Sequence, residues 1–317
     1  MKRLRLLACW VMAVIGFASG HLCAADPPAI AGKPASDESK FIRLRRDDDH
    51  RPVAMETAVV RYTSDAQPGV EITLVGAVHV GDKSYYDELN KLFEKYEVVL
   101  YELVAPEGTR IPRGGRKTPS THPIGILQEG MGSVLELSHQ LNCVDYTRKN
   151  FTHADLSPEE FNKTMDERGE SFFQMFLRLM GTGIAQNAGG GGVSDAALIT
   201  ALFSNDRAMM LKTIMAEQFE NLDGQMSALD GPGGSTIITE RNKRCFDVLS
   251  KQLAAGQKQI AVFYGAGHLP DMERRLAADF GFKRSGESWL VAWRLQKPKL
   301  DATPESDTKR PGTEPTK

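Results

Sequence analysis

Cysteine is scarce and badly placed for holding a metal. The chain has four, at 9, 23, 143 and 245, with no closely spaced pairs. That argues against a cysteine-rich structural metal site and leaves histidine and carboxylate as the ligands for any ion. Positive charge is not in surplus either. Lys and Arg number 39 against 41 Asp and Glu, a formal net charge of -2 at pH 7, so a phosphate backbone meets no bulk attraction and no nucleic-acid partner is expected. Also missing are G-x-S-x-G, H-E-x-x-H and G-x-x-x-x-G-K-[ST], which removes the nucleophile-elbow, zincin and P-loop readings. The apolar run from Leu6 to Gly20 falls short of the roughly 20 residues that a spanning helix needs.

What is present begins with that same run. Lys2, Arg3 and Arg5 precede it, and Cys23, Ala24 and Ala25 follow it. This order of basic, apolar and small-residue regions predicts a signal peptide over 1–25, cleaved after Ala25, and an exported, periplasmic or secreted protein with no stable membrane span. An uncleaved anchor is the competing reading. A lipoprotein is disfavoured because Leu22 precedes Cys23. Cleavage removes three basic groups and no acidic one, leaving a charge of -5. Cys143 and Cys245 then remain as one potential disulfide, which composition does not decide.

Residues 26–54 are rich in Pro, Ser and charge and read as a linker; 298–317 read as a disordered tail. The domain between them, 55–297, is expected to be α/β. Thr57 to Thr63 and the run from Val70 predict a hairpin around the turn Asp65 to Gly69. ITLVGAVH, the helical spacing of Lys83 to Lys95 and VVLYELV then read strand, helix, strand. IAVFYGAGH, Pro270 to Asp279 and SWLVAWRL repeat the order, so a central, mostly parallel sheet built from two β-GxxH-α-β halves is predicted. The stretch 122–235 reads as a large helical insertion. Ser157, Pro158 and Glu160 start one helix, running towards Met180, with an N-cap, a first-turn proline and a capping-box glutamate. Gly181 to Gly192 reads as a hinge or lid in preference to a phosphate loop, and a helix over Thr236 to Ala255 follows.

Chemistry concentrates where strands are expected to end. Gly76 to His79 (GAVH) and Gly265 to His268 (GAGH) share the form G-x-x-H, each closing an apolar strand just before a helix. In an open α/β sheet ligands lie beyond the carboxyl ends of the strands, so both imidazoles project into one crevice if the strands are parallel neighbours. Gly76 and Gly265 would leave room for a ligand or a tight turn. Glu102 ends the strand VVLYE at the same edge, whereas Val291 occupies the equivalent offset in the second half. One carboxylate and two histidines suit a divalent metal with open positions, and each histidine alone is equally compatible with a buried, hydrogen-bonded structural role.

The paired GxxH motifs, the glutamate closing the next strand, and Glu240-Arg241-Asn242 on the helix before the second GxxH together resemble the TraB/PrgY/GumN family, which includes the Tiki proteins. The likeness spans roughly residues 55 to 297. It implies a fold similar to that of erythromycin esterases and ChaN-like proteins, and either metal-dependent proteolysis, as described for Tiki members, or blocking of peptide pheromones, as for PrgY-like ones. Carried onto this chain, the family's histidines fall on His79 and His268, its glutamate on Glu102 and its helical arginine on Arg241. The arginine that often follows the glutamate closely has no counterpart nearer than Arg110, which lies beyond Pro106.

The expected activity is an exported hydrolase of peptide or small ester bonds, its water activated by a manganese, cobalt or zinc ion on His79, Glu102 and His268. Arg241 would face a substrate carboxylate or the developing oxyanion; a surface ion pair is the competing reading. Without metal, one histidine would act as general base with Glu102 fixing its tautomer. A non-catalytic protein that sequesters a peptide or haem in the same crevice is the alternative, and an envelope module whose helical middle docks partners is a third. His153 and Asp155 in THADL either join the site or serve a turn and an N-cap. His50, His122 and His139, in the linker, beside Pro123 and on a helix, read as non-catalytic.

Overall fold

A computed structural model of the chain describes residues 40–115, 132–171, 200–201, 204, 206–219, 230 and 233–296. The expected signal peptide, the first half of the linker, His122, the Gly181 to Gly192 loop and the tail lie outside them. The elements run β1 (Ile42–Arg46), β2 (Pro52–Thr63), β3 (Glu71–Ala77), β4 (Val80–Gly81), α1 (Lys83–Phe93), β5 (Val98–Tyr101), β6 (Ser138–His139), α2 (Gln140–Cys143), β7 (Phe151–His153), α3 (Pro158–Glu167) and α4 (Arg207–Phe219). A π-helical turn, Thr236–Glu240, leads into α5 (Arg241–Ala254), followed by β8 (Gln259–Gly265), a 3-10 turn (Ala266–His268), α6 (Leu269–Ala278) and β9 (Lys283–Arg294).

The fold is α/β, as expected, around a seven-stranded sheet ordered β1-β2-β3-β8-β5-β7 with β9 also on β2. Strands β3, β8, β5 and β7 are mutually parallel and form its centre and one side. Ile260 to Tyr264 of β8 are buried on both faces, which is why that strand reads as an unbroken apolar run instead of an alternating one. Helix α1 buries Tyr85, Tyr86, Leu89 and Phe93. Each such burial contributes roughly 1.5–3 kcal/mol. The Tyr85 hydroxyl donates to the Gly76 carbonyl oxygen at 2.8 Å, tying the helix to the end of β3.

Four features depart from the sequence reading. The second half of the expected linker is ordered: β1 and the start of β2 lie in it, with Phe41 and Ile42 in the core. Strand β9 runs antiparallel along β2, so the second strand-helix-strand unit turns back across the sheet and does not repeat the first. The stretch 122–235 is not wholly helical, since β7 within it pairs with β5 as the outermost parallel strand and His139 ends β6, opposite Val80, instead of lying inside a helix. Helix α3 has its predicted capping box but stops at Glu167, two residues before Gly169 takes a φ of 63°. Cys143 and Cys245 are both free. Among the described residues no helix is long and apolar enough to cross a membrane.

Candidate active site

The four parallel strands end level with one another. Ala77 of β3 pairs with Gly265 of β8, and Tyr101 of β5 lies between Phe263 of β8 and His153 of β7. Each strand therefore delivers a polar residue just past its carboxyl end: His79, His268, Glu102 and Asp155, in the crevice where α/β sheets hold ligands. His79 is exposed, whereas Glu102 has a side chain 11% accessible, His268 one of 7% and Asp155 one that is fully buried.

Arg241, the first residue of α5, joins them. Its Nε and Nη2 donate to the two oxygens of Asp155 at 2.9 and 2.6 Å, and Nη2 also donates to Glu102 Oε1 at 2.7 Å. Its Nη1 faces His268 Nε2 at 3.5 Å, too long for a strong hydrogen bond. The other Glu102 oxygen accepts the Gly265 N–H at 2.6 Å. A Cβ on Gly265 would stand 3.2 Å from that oxygen, and one on Gly76 would stand 3.3 Å from the Ala58 carbonyl oxygen. The two GxxH glycines thus make room for the protein's own carboxylate and neighbouring strand.

Burial alone would raise the Glu102 carboxyl, but Arg241, the two imidazoles and the Gly265 N–H outweigh it and hold it well below the usual carboxylate range. Burial works the other way on His268. It pulls the imidazole down to about 4 against the opposing field of Glu102, so the ring is neutral at neutral pH. Arg241 thus holds a fixed positive charge between the two carboxylates of the cluster.

Three site residues, Asp155, Asn242 and Gln140, take their roles only from the folded chain. Asp155 lies in THADL, where an Asp just before a capped helix equally suits a turn. Its companion His153 turns away, its Nε2 2.6 Å from the Leu103 carbonyl oxygen. Asn242, next to Arg241, binds His268 Nδ1 through its side-chain oxygen at 2.8 Å, so Asn242 and not Glu102 sits against that nitrogen. Gln140 supports the His79 side, donating its backbone N–H to the His79 carbonyl oxygen and its amide to the Tyr146 hydroxyl, each at 2.8 Å. No pattern of spacing could announce these partners, since they come from separate elements. Arg110, Arg43 and Arg45 are not among the groups that meet here; the last two bind the buried Glu56 across β1 and β2.

A divalent ion on His79, Glu102 and His268 does not fit this arrangement. Glu102 Oε1 and His268 Nε2 are 3.6 Å apart, but both Glu102 oxygens are engaged and Arg241 brings a fixed positive charge into the same space. Among the described residues no three His, Cys, Asp or Glu side chains are grouped to hold an ion. Compared with models of known families, with curated proteins and with solved structures, the chain finds no match in any of the three.

Proposed function

We propose that the crevice is the active site of an exported hydrolase acting on peptide or small ester bonds, with His268 as general base. One observation carries the reading. A neutral, buried imidazole has its Nε2 beside the Nη1 of an arginine whose other donors are already saturated by carboxylates. A guanidinium has five N–H groups. Three bonds go to Asp155 and Glu102, which leaves Nη1 to meet a substrate carbonyl oxygen as negative charge develops on it. A water next to His268 Nε2 would lose its proton to that nitrogen as it attacks the carbonyl carbon. The imidazolium so formed lies 3.6 Å from Glu102 Oε1, whose charge stabilises it. On collapse of the tetrahedral intermediate the same proton passes to the leaving alkoxide or amine. Exposed His79 lines the solvent side, where the substrate enters.

The test is hydrolysis of a panel of aryl esters and short peptides by the purified protein, alongside His268→Gln and His79→Gln. Turnover lost in His268→Gln with the fold intact supports the reading. Equal turnover in both folded proteins overturns it, and a peptide or haem bound tightly but recovered unchanged favours sequestration. The metal-dependent form of the reaction, which the family resemblance implies, requires Arg241 to leave Glu102. Near-stoichiometric manganese, cobalt or zinc, lost in His79→Ala, Glu102→Ala and His268→Ala, would establish it.

A further inference from the structure

We infer that Asn242, held by Asp271 and Arg275, is a positioning residue that locks His268 as its Nδ1–H tautomer and so selects Nε2 as the basic nitrogen facing Arg241. The inference rests on the hydrolase reading only for its kinetic consequence. It follows from which atoms can donate. The Asn242 Nδ2 group lies 3.1 Å from the His268 backbone carbonyl oxygen and 2.8 Å from Asp271 Oδ2. Neither a carbonyl oxygen nor a carboxylate donates, so both must accept, and the amide has only one orientation that satisfies them. That orientation turns Oδ1 towards His268 Nδ1, at 2.8 Å. An amide oxygen only accepts, so Nδ1 carries the hydrogen. In a neutral ring the lone pair is then on Nε2.

The outer links of the chain are equally directional. Arg275 Nε donates to Asp271 Oδ2 at 2.7 Å, and Arg274 Nη2 donates to Oδ1 at 3.2 Å. Burial would raise the Asp271 carboxyl, but the hydrogen bonds from Arg275 and Asn242 outweigh it, so Asp271 stays an acceptor. Asn242 is fully buried, so water does not compete for its amide. Arg241 and Glu102 approach the ring at Nε2, Tyr264 meets it edge-on, Asp155 and His79 add their fields, and the contact at Nδ1 is made by Asn242. The fold thus places the choice of basic nitrogen on α5 and α6, on the side of the imidazole away from the substrate.

The experiment is long-range 15N–1H correlation spectroscopy of the full chain labelled with 15N-histidine, at neutral pH, with the His268 signals assigned by their loss in His268→Gln. The wild type should show a protonated Nδ1 and a bare Nε2. Asn242→Leu should show a mixture of tautomers or the reverse pattern, and Asn242→Ala serves if the leucine variant does not fold. A wild type with Nε2–H, or a folded Asn242 variant with an unchanged pattern, overturns the inference whether or not any substrate is turned over. In the kinetic arm, loss of the correct tautomer should lower kcat by roughly 100-fold or more with KM little changed. A fall confined to KM, or no fall despite a changed tautomer, overturns the catalytic consequence while leaving the tautomer assignment standing.

Discussion

Replacing Arg241 with methionine keeps most of the side-chain volume and removes the charge. The variant loses three hydrogen bonds, two to Asp155 and one to Glu102. It leaves a fully buried carboxylate and an 11%-exposed one with no cation between them. Breaking a buried pair in this way costs about 3–5 kcal/mol. For a folded region of this size that is a fall in Tm of roughly 6–20 °C. The cost depends on pH in a defined direction. In the wild type the Glu102 carboxyl is depressed, so its stabilisation is present above the ordinary carboxylate pKa and fades as pH falls towards its folded value. In the variant burial acts on Glu102 unopposed by the arginine, so its carboxyl favours protonation and the penalty shrinks on acidification. Thermal unfolding at pH 7 and pH 4 should therefore show a large gap between the two proteins at pH 7 and a smaller one at pH 4. Adding Asp155→Asn to the variant should recover part of the loss at pH 7. A loss below about 1 kcal/mol at pH 7 would refute the argument that these charges are desolvated.

Other consequences are as specific. Folded His268 is depressed to about 4, so its neutral form favours folding; that stabilisation, about 3 kcal/mol at most, should disappear as pH falls from 6.5 towards 4, and urea titrations should show the decline flattened in His268→Gln. If His268 is the base, kcat/KM of the free protein should fall on an acid limb near pH 4 and be flat above it. Gly265→Ala places a Cβ 3.2 Å from Glu102 Oε2 without straining the backbone, so it should cost about 1–3 kcal/mol and depress hydrolysis, read by melting and by initial rates. Ser157→Ala removes the cap from the Glu160 N–H and should cost about 1 kcal/mol in a denaturant titration while leaving turnover unchanged.

How much of this was legible in the sequence depends on range. Local order carried far: the strands ending at His79, Glu102 and His268, the helix between the first two and the capping box at Ser157 all follow from period and cap chemistry over a dozen residues. That the two GxxH strands lie side by side was the condition on which a shared crevice depended, and the parallel pairing of β3 with β8 meets it. Direction was not legible. Whether the strand after α6 joins the parallel set or turns back onto β2 is decided by which edge is free, a property of the assembled sheet. Strand β7 is three residues long, too short to show alternation. Asn242 lies beside Arg241 in sequence, yet its role depends on Asp271 and on the His268 carbonyl, which only the folded chain brings to it.

The pairing of β2 bears on how the domain comes together. From Ala54 opposite Arg294 to Thr63 opposite Lys283, β9 occupies one edge of β2 along most of its length, while β1 and β3 share the other end to end. Among the described residues the first and last strands are thus neighbours of the same strand, β1 through a short connection and β9 across most of the chain. Early in synthesis β1, β2 and β3 can pair locally, but β2 keeps an open edge until residues beyond 283 emerge. A nascent or truncated chain lacking β9 carries a long strand with an unpaired side that invites pairing with other chains. Completion of the sheet is therefore a late event, and the domain stays open until β9 is available.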